Sequence, residues 1–221
     1  MNEFYKQPLI LQWLEAIVLL IVGFYPAIMI IELTYYHFLY SLLFLIYLPV
    51  GQFSITPLFK LSGVYTYYSP MLLGYMPNNV QIDLHSGGSF DYLFVMRKFK
   101  VGIESRNRIF IYHLEGLLTI ISQIEDGKIS KDVVISGTSY FFNERTIDRL
   151  GFDYEKPSLF YRINLLVNFI DLTWMYSVSQ GKFSFPNVLK ARKASIVGGK
   201  LVDSKEILSG LHKKLTLRIP K

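Results

Sequence analysis

The feature that most constrains this chain is the absence of Lys and Arg from residues 7–59, where only two residues are acidic. Two apolar runs fill this stretch, residues 9–31 and residues 36–53. At 1.5 Å per residue, the first run is long enough to cross roughly 30 Å of hydrocarbon, and the second is somewhat shorter. We therefore predict a transmembrane helical hairpin over residues 1–53.

The residues that flank the apolar runs predict the orientation of this hairpin. Lys6 precedes the first run and Lys60 follows the second, whereas the connection between them carries Glu32 and no basic residue. Because cytoplasmic loops are enriched in Lys and Arg, we expect a multi-pass protein of the inner cell membrane with both termini and the main domain in the cytoplasm.

Three other interpretations of the apolar runs were weighed. A cleaved signal peptide is disfavoured, because no small-residue cleavage pattern follows the first run and a second run comes directly after it. Two buried helices of a soluble protein remain open as an alternative, and so does one broken or re-entrant segment.

The charge of the chain is concentrated near its C-terminus. Residues 182–221 contain ten Lys and Arg against two acidic residues, or +8, whereas residues 54–181 contain twelve of each sign, or zero. A basic segment held near an anionic leaflet gains about 1 kcal/mol per basic residue that reaches the surface. We therefore expect residues 182–221 to bind anionic lipid rather than nucleic acid, with a solvated basic face as the plain alternative.

The residues between the hairpin and the basic segment predict a mixed α/β domain over residues 54–181, so that the fold class is α+β. Residues 54–79 are apolar and tyrosine-rich without clean periodicity, and we expect them to lie along the membrane or the domain surface. The strands that we predict are residues 80–85, 90–96 and 132–142, the first two forming a hairpin. A helix is predicted over residues 109–124, ending near Asp126 and Gly127, and a short one after Asn143, with Gly151 as its stop. The chain has no Cys, so thiolate metal sites and disulfides are excluded.

The order of these elements resembles the core of the GNAT N-acetyltransferases over about residues 80–154. The resemblance is carried by FDYLFV, a basic link to Gly102 and Ile103 at the start of a helix, and RLGF at residues 149–152. In that family, backbone N–H groups at the helix start hold the pyrophosphate of acyl-CoA, as helix N-termini generally hold phosphate. The resemblance therefore implies acyl-CoA as a ligand and a binding site formed by Lys98, Lys100, Gly102 and Ser105.

The chain also departs from that family. Glu104 stands where a Gly is expected and would repel a pyrophosphate. The helix after Asn143 is about one turn short, so the position of the family's Tyr general acid has no counterpart. The N-terminal strand and helices of the family are replaced by the hairpin. These departures favour a fold that has lost its chemistry.

Two other sets of polar residues are candidates for a site. Asp83 and His85 lie two apart on a predicted strand and so share one face, as an acid/base pair or as metal ligands would; a polar strand face is the plain alternative. With Asn143, they are the candidate catalytic residues, and no metal site is predicted. Over residues 159–178, a polar stripe of Asn164, Asn168 and Asp171 follows a helical spacing on an otherwise apolar helix. That helix either lies in the membrane interface or packs in the core, where the stripe lines a cavity or forms a satisfied network.

Two functions follow from the sequence. The first is a non-catalytic membrane-anchored protein whose cytosolic domain docks a protein partner, another copy of itself or anionic lipid. The alternative is a membrane-anchored, GNAT-like acyltransferase that acts on a lipid or membrane-bound acceptor. The sequence favours the first, because no set of residues has the spacing that a specific reaction demands.

Overall fold

The computed structural model describes residues 2–139 and 150–218. It begins with two long apolar helices, α1 (Leu9–Tyr36) and α2 (Leu43–Leu61), which are joined by a 3-10 turn at Phe38–Leu42. The helices expected from the two apolar runs are thus present, and α2 continues beyond residue 53, where we predicted the hairpin to end. The protein is α+β, with two apolar N-terminal helices followed by a mixed sheet.

Small residues bring α1 and α2 close together. A Cβ added at Gly23 would lie 2.1 Å from the Ser54 side-chain oxygen, and the Tyr47 hydroxyl donates a hydrogen bond of 2.9 Å to the Gly23 carbonyl. Ala16 and Ala27 are buried along the same helix. Close approach through small residues is typical of helix pairs in membranes, where apolar side chains gain little by leaving the lipid.

The faces of α1 and α2 that point away from each other and from the sheet are exposed. The most apolar 18-residue windows of the two candidate spans have mean hydropathies of 2.4 and 1.7, and only 22% and 6% of their residues are buried. By length and composition, both segments are able to cross a membrane. A core helix of a soluble protein would have most of this surface covered.

An aromatic cluster attaches the hairpin to the rest of the protein. Phe4 and Phe90 are buried against each other, edge to face, with ring centroids 5.2 Å apart. Phe53 of α2 packs on the other side of Phe90 at the same centroid distance. The residues before α1 therefore lie between the hairpin and the domain.

Within the described residues, the sheet has six strands in the order β1-β2-β3-β4-β6-β5. β3 and β4 are parallel neighbours, and every other pair is antiparallel. The strands are β1 (Tyr65–Ser69), β2 (Leu72–Tyr75), β3 (Gln81–Ser86), β4 (Val134–Ser139), β5 (Asp153–Glu155) and β6 (Arg192–Val197). β3 and β4 agree with prediction. β1 and β2 fall within residues 54–79, where no strand was predicted.

In the part of the chain that the structure describes, six further helices surround the sheet: α3 (Ser89–Val95), α4 (Ile103–Glu125), α5 (Leu159–Val167), α6 (Phe169–Gln180), α7 (Gly198–Asp203) and α8 (Lys205–Thr216). The prediction of α4 is confirmed, including its end at Asp126 and the left-handed Gly127. This helix connects β3 to β4 and buries its isoleucines against Ile82 and Ile135 of those strands.

The predicted strand at residues 90–96 is wrong, because this segment forms α3 and a following 3-10 turn. Short apolar runs do not distinguish a strand from a buried helix. Here Phe90 packs on the hairpin cluster, whereas Tyr92 and Val95 pack on a second cluster with Met175. A helix allows this segment to contribute side chains to both clusters, so tertiary packing overrides the strand propensity of its residues.

The C-terminal part of the chain is built into the sheet. β6 lies between β4 and β5, and α7 and α8 pack against α4 through the buried Leu201 and Leu208. The helix expected over residues 159–178 is present as α5 and α6, which are separated at Asn168. The short helix predicted after Asn143 lies outside the described residues.

Candidate functional site

In the centre of the sheet, the pairing of β3 with β4 ends before either strand does. These parallel strands pair from Gln81 opposite Val134 to Leu84 opposite Gly137. Both strands continue past that point, but there, among the described residues, β3 pairs with β2 and β4 pairs with β6. Among the described residues, the two strands therefore have no backbone pair with each other beyond Leu84 and Gly137.

One face of the sheet is polar at this point. Ile82 and Leu84 point toward the core under α4, so Asp83 and His85 point to the opposite face. The strand register extends this face across the whole sheet, as a row of residues that lie opposite one another: Tyr65, Tyr75, Asp83, Ser136, Ser195 and Asp153. A row of this composition contributes little to an apolar core. Its polar side chains are able to form one wall of a binding site.

Asp83 is the centre of a hydrogen-bonded cluster. The Tyr161 hydroxyl donates to its Oδ2 at 2.6 Å, and the Ser136 hydroxyl donates to its Oδ1 at 3.2 Å. His85 Nε2 lies 3.4 Å from Oδ2, and the His85 ring is packed edge-on against Tyr75. Ser136 is buried, whereas Asp83, His85 and Tyr161 are half-buried. Two strands and α5 therefore position the groups around a single carboxylate.

The electrostatics of this cluster keep Asp83 ionised and Tyr161 protonated. Burial alone would raise the pKa of Asp83, but the hydrogen bonds from His85, Tyr161 and Ser136 outweigh burial and hold this pKa below its usual value. Burial and the neighbouring Asp83 carboxylate raise the pKa of Tyr161 to about 12. At neutral pH the cluster therefore holds an ionised carboxylate, which can accept a proton, next to a phenol, which can donate one.

A second carboxylate, Asp91, is fully buried under the hairpin. It accepts hydrogen bonds from the Asn2 amide at 3.1 Å and from the Tyr67 hydroxyl at 2.9 Å. Burial raises its pKa to about 7, even though these bonds and one from the Gly88 backbone favour the ionised form. Asp91 has no access to a substrate, and its role is to join the N-terminus, β1 and α3.

The residues predicted to bind the acyl-CoA phosphates lie at or near the start of α4. The Gly102 N–H donates to the Val178 carbonyl at 2.7 Å, because Gly102 and Gly181 meet at close range with positive φ angles. The Ser105 hydroxyl is buried and donates to the Lys100 carbonyl at 2.8 Å. A phosphate there would have to displace these bonds, so the helix start is closed by α6.

The remaining basic residues of that predicted site have other positions. The Lys98 ammonium lies over the Phe99 ring at 5.4 Å from its centroid, and the Lys100 side chain is exposed. The structure brings Lys100, Gly102 and Ser105 close together at the start of α4. That they bind phosphate remains a prediction.

The predicted polar stripe is divided between two places. The Asn168 amide donates to the carbonyl of Asn164 at 2.8 Å and to its side-chain oxygen at 2.9 Å, and the Gln52 amide of α2 donates to Asn168. Asp171 is buried and accepts hydrogen bonds from Ser89 and from the Trp174 indole. The stripe splits because the helix is interrupted at Asn168.

Several polar residues of interest were missed by sequence reasoning. Tyr161 and Ser136 reach Asp83 from separate elements, and only the sheet register and the position of α5 bring them there. His113 of α4 lies with its Nε2 3.1 Å from the Ser86 hydroxyl. Burial lowers the pKa of His113 to about 4, with a smaller opposing effect from the Met71 backbone.

Asn143, the third candidate catalytic residue, lies outside the described residues. Among the residues that are described, no group of three or more His, Cys, Asp or Glu is arranged to hold a metal ion. Comparison with protein-family models, with curated proteins and with solved structures finds no significant match to this chain. The function is therefore inferred from the geometry of the protein itself.

Proposed function

We propose that this protein is a membrane-anchored acyltransferase with a GNAT-like core, which transfers an acyl group from acyl-CoA to a lipid or membrane-bound acceptor. The observation that carries the proposal is the position of Asp83, one residue before the last pair between β3 and β4. A splay between two parallel strands is the feature expected of that core, and in this proposal a splay beyond that pair admits an extended donor molecule to the carboxylate.

The strand edges beyond that pair suit the donor. The pantetheine arm of acyl-CoA is extended and carries amide groups, and extended amide chains bind to open strand edges through main-chain hydrogen bonds. A donor that enters between β3 and β4 would pass Asp83 on the polar face. This route does not need the Gly102 amide, which donates to Val178.

We assign two proton transfers to the cluster. The first accompanies attack of the acceptor, and the second accompanies departure of the sulfur. Asp83 accepts the proton of the acceptor amine or hydroxyl as that group bonds to the thioester carbonyl carbon. The carbon–sulfur bond breaks, and the leaving sulfur takes a proton from Tyr161, which recovers it from Asp83 across their 2.6 Å hydrogen bond. The net change is acceptor–H plus acyl-CoA to acylated acceptor plus the free thiol.

The apolar helices supply the anchor. In this proposal α1 and α2 cross the inner membrane, with the Phe38–Leu42 turn outside and the sheet domain in the cytoplasm. Support comes from the bare outer faces of both helices and from the flanking Lys6 and Lys60. An anchored enzyme meets a membrane-bound acceptor at a raised effective concentration.

A second candidate is favoured by one observation. Because the Gly102 amide donates to Val178 of α6 and the Ser105 hydroxyl donates to Lys100, two groups of the phosphate site that the resemblance implies are already hydrogen-bonded within this chain. That favours a non-catalytic protein whose domain docks a protein partner or anionic lipid through residues 182–221. Copurification of the full chain with a stoichiometric partner, and no binding of acyl-CoA, is the result that this candidate predicts.

Binding of acyl-CoA separates the two candidates. Full-length protein in lipid nanodiscs should bind acetyl-CoA or a longer acyl-CoA saturably, with a rise in apparent melting temperature; a ligand at 100 times its Kd contributes about 2.7 kcal/mol. Asp83→Asn should still bind, since the substitution keeps the shape of the side chain. Free phosphate and adenine nucleotides serve as controls for non-specific anion binding. If no acyl-CoA shifts the melting temperature, the acyltransferase proposal is wrong.

A further inference from the structure

A large apolar surface lies beside the hairpin and is not covered by any described residue. α5 exposes Phe160 by 78%, and the segment after α6 exposes Phe183 by 74% and Leu189 by 80%. The other exposed apolar side chains of this surface are Leu159, Ile163, Leu166, Ile170 and Phe185. Contiguous apolar surface on this scale marks an interaction site.

The surface has a shape suited to flexible apolar chains. An open depression of about 440 Å³ lies on it, between Leu166 and Phe169 on one side and residues 185–189 on the other. Phe169 and Phe185 are stacked beside it, with ring centroids 5.8 Å apart. Such an open, mainly apolar hollow fits hydrocarbon tails better than it fits a polar ligand.

The charges around this surface point to an anionic bilayer. Residues 156–190 contain four basic side chains, namely Lys156, Arg162, Lys182 and Lys190, and one acidic side chain, Asp171. All four basic residues are exposed, whereas Asp171 is buried and hydrogen-bonded inside the domain. Apolar surface with a basic rim is the pattern of elements that lie in the headgroup region of anionic membranes.

The surface also continues directly from the hairpin. Gln52, which lies in the middle of α2 but at the end of the second apolar run (residues 36–53), donates a hydrogen bond to Asn168, at the junction of α5 and α6. A polar bond at this place fits the depth at which α2 leaves the hydrocarbon, since an amide at mid-depth would be costly. α5 and the segment after α6 therefore lie at the level of the membrane surface.

We propose that α5, α6 and residues 183–189 form a second, non-spanning contact with the bilayer, in which the apolar side chains enter the acyl-chain boundary of an anionic leaflet. This contact rests on the proposed membrane insertion of the hairpin. It places the Asp83 cluster at the membrane surface, because Tyr161 on α5 donates to Asp83 while its neighbour Phe160 faces outward. The acceptor is then a lipid-embedded molecule that reaches the cluster along α5.

Single-cysteine labelling tests the contact, and the chain has no native Cys to interfere. An environment-sensitive fluorophore is attached to Leu189→Cys or Phe160→Cys in the full-length protein. The protein is reconstituted in vesicles of phosphatidylcholine and phosphatidylglycerol. Val22→Cys on α1 reports the hairpin, and Glu206→Cys on α8 is the exposed control. Spin-labelled lipid in the bilayer and iodide in the water serve as the two quenchers.

We expect the probes at residues 189, 160 and 22 to lose most of their emission to the spin-labelled lipid, and the probe at residue 206 to be quenched by iodide. Quenching by lipid at residue 22 but by iodide at residues 189 and 160 would overturn the second contact and leave the hairpin in place. Quenching by iodide at all positions would overturn membrane insertion itself. Protection of the probe at residue 189 from both quenchers, together with disulfide crosslinks between copies of the unlabelled Leu189→Cys protein, would assign the surface to a dimer and overturn the proposal.

The basic rim gives a matched test of lipid charge. In vesicles of phosphatidylcholine alone, quenching of the probe at residue 189 by spin-labelled lipid should be weaker than in vesicles with phosphatidylglycerol. Lys182→Glu combined with Lys190→Glu should remove that difference without changing quenching at residue 22. If spin-labelled lipid quenches the probe at residue 189 equally in the two lipid mixtures when Lys182 and Lys190 are both present, the role given to these lysines is wrong.

Discussion

Asp83→Asn is expected to lower the kcat of the proposed acyl transfer by roughly 10²–10⁴-fold, the range that removal of a general base produces. The substitution removes the proton acceptor but keeps an oxygen that accepts from Tyr161 or Ser136, so folding is retained. The rate is measured as release of the CoA thiol with a thiol reagent, which the protein itself does not consume because it has no Cys.

The controls for this prediction separate chemistry from structure. Asp126→Asn changes an exposed aspartate that pairs with Lys128 at the end of α4, and it should leave kcat unchanged. Tyr161→Phe should lower kcat while leaving the KM for acyl-CoA little changed, since its hydroxyl acts on the leaving group. Because the pKa of Asp83 is held low, the acid limb of the pH–rate profile should fall below the usual aspartate range. Full activity in Asp83→Asn with an unchanged melting temperature would remove Asp83 from the mechanism.

Asp91→Asn is expected to stabilise the protein above neutral pH by up to about 4 kcal/mol. The pKa of Asp91 is raised from 3.8 to about 7 in the folded state, and one pH unit of difference corresponds to about 1.36 kcal/mol. As the pH rises from 3.8 toward 7, the unfolded chain loses this proton and the folded chain keeps it. Folding stability therefore falls across that window and levels off above it.

The variant minus wild-type difference isolates Asp91. His113 has the opposite effect, because its lowered pKa makes the folded state less stable as the pH falls below 6.5. Since His113 is the same in both proteins, its contribution cancels in the difference. Asn at position 91 can still accept from Asn2, while its amide can donate to the Tyr67 hydroxyl. Melting temperatures in detergent from pH 4 to pH 8 that differ by a constant amount would show that Asp91 is not protonated in the folded state.

Strong, continuous patterns in the sequence predicted their elements well. Both apolar runs form α1 and α2, and the regular spacing of isoleucines predicted α4 together with its end at Gly127. The alternation in residues 80–85 predicted β3. In each of these segments the local pattern and the tertiary packing agree, so the residues alone indicate the structure.

The errors have a common physical cause, which is packing decided by distant residues. Residues 90–96 have strand-like composition, but α3 forms because Phe90 packs on Phe4 and Phe53 of the hairpin. β1 and β2 were not predicted, since Tyr68 is buried in the core whereas Tyr65 and Tyr75 lie on the opposite, polar face, so tyrosines on both faces leave no clean alternation. No local signal identifies such segments.

The site was predicted only in part for the same reason. Asp83 and His85 were predicted as site residues because they share one strand face, and the structure places His85 Nε2 3.4 Å from Asp83 Oδ2. The groups that complete the cluster, Ser136 and Tyr161, lie 53 and 78 positions from Asp83 along the chain, and parallel pairing and the position of α5 bring them to it. The polar stripe was divided because the bend at Asn168 directs Asp171 inward.

The claim on which the rest depends is that α1 and α2 lie across a membrane, and single-cysteine accessibility tests it most directly. Ser41→Cys in the turn between the helices and Glu206→Cys on α8 are each expressed in the full chain, and both positions are exposed. On intact spheroplasts, a membrane-impermeant maleimide should label position 41, whereas position 206 should be labelled only after lysis. Equal labelling of both positions before lysis, or release of the protein by alkaline carbonate, would contradict the account.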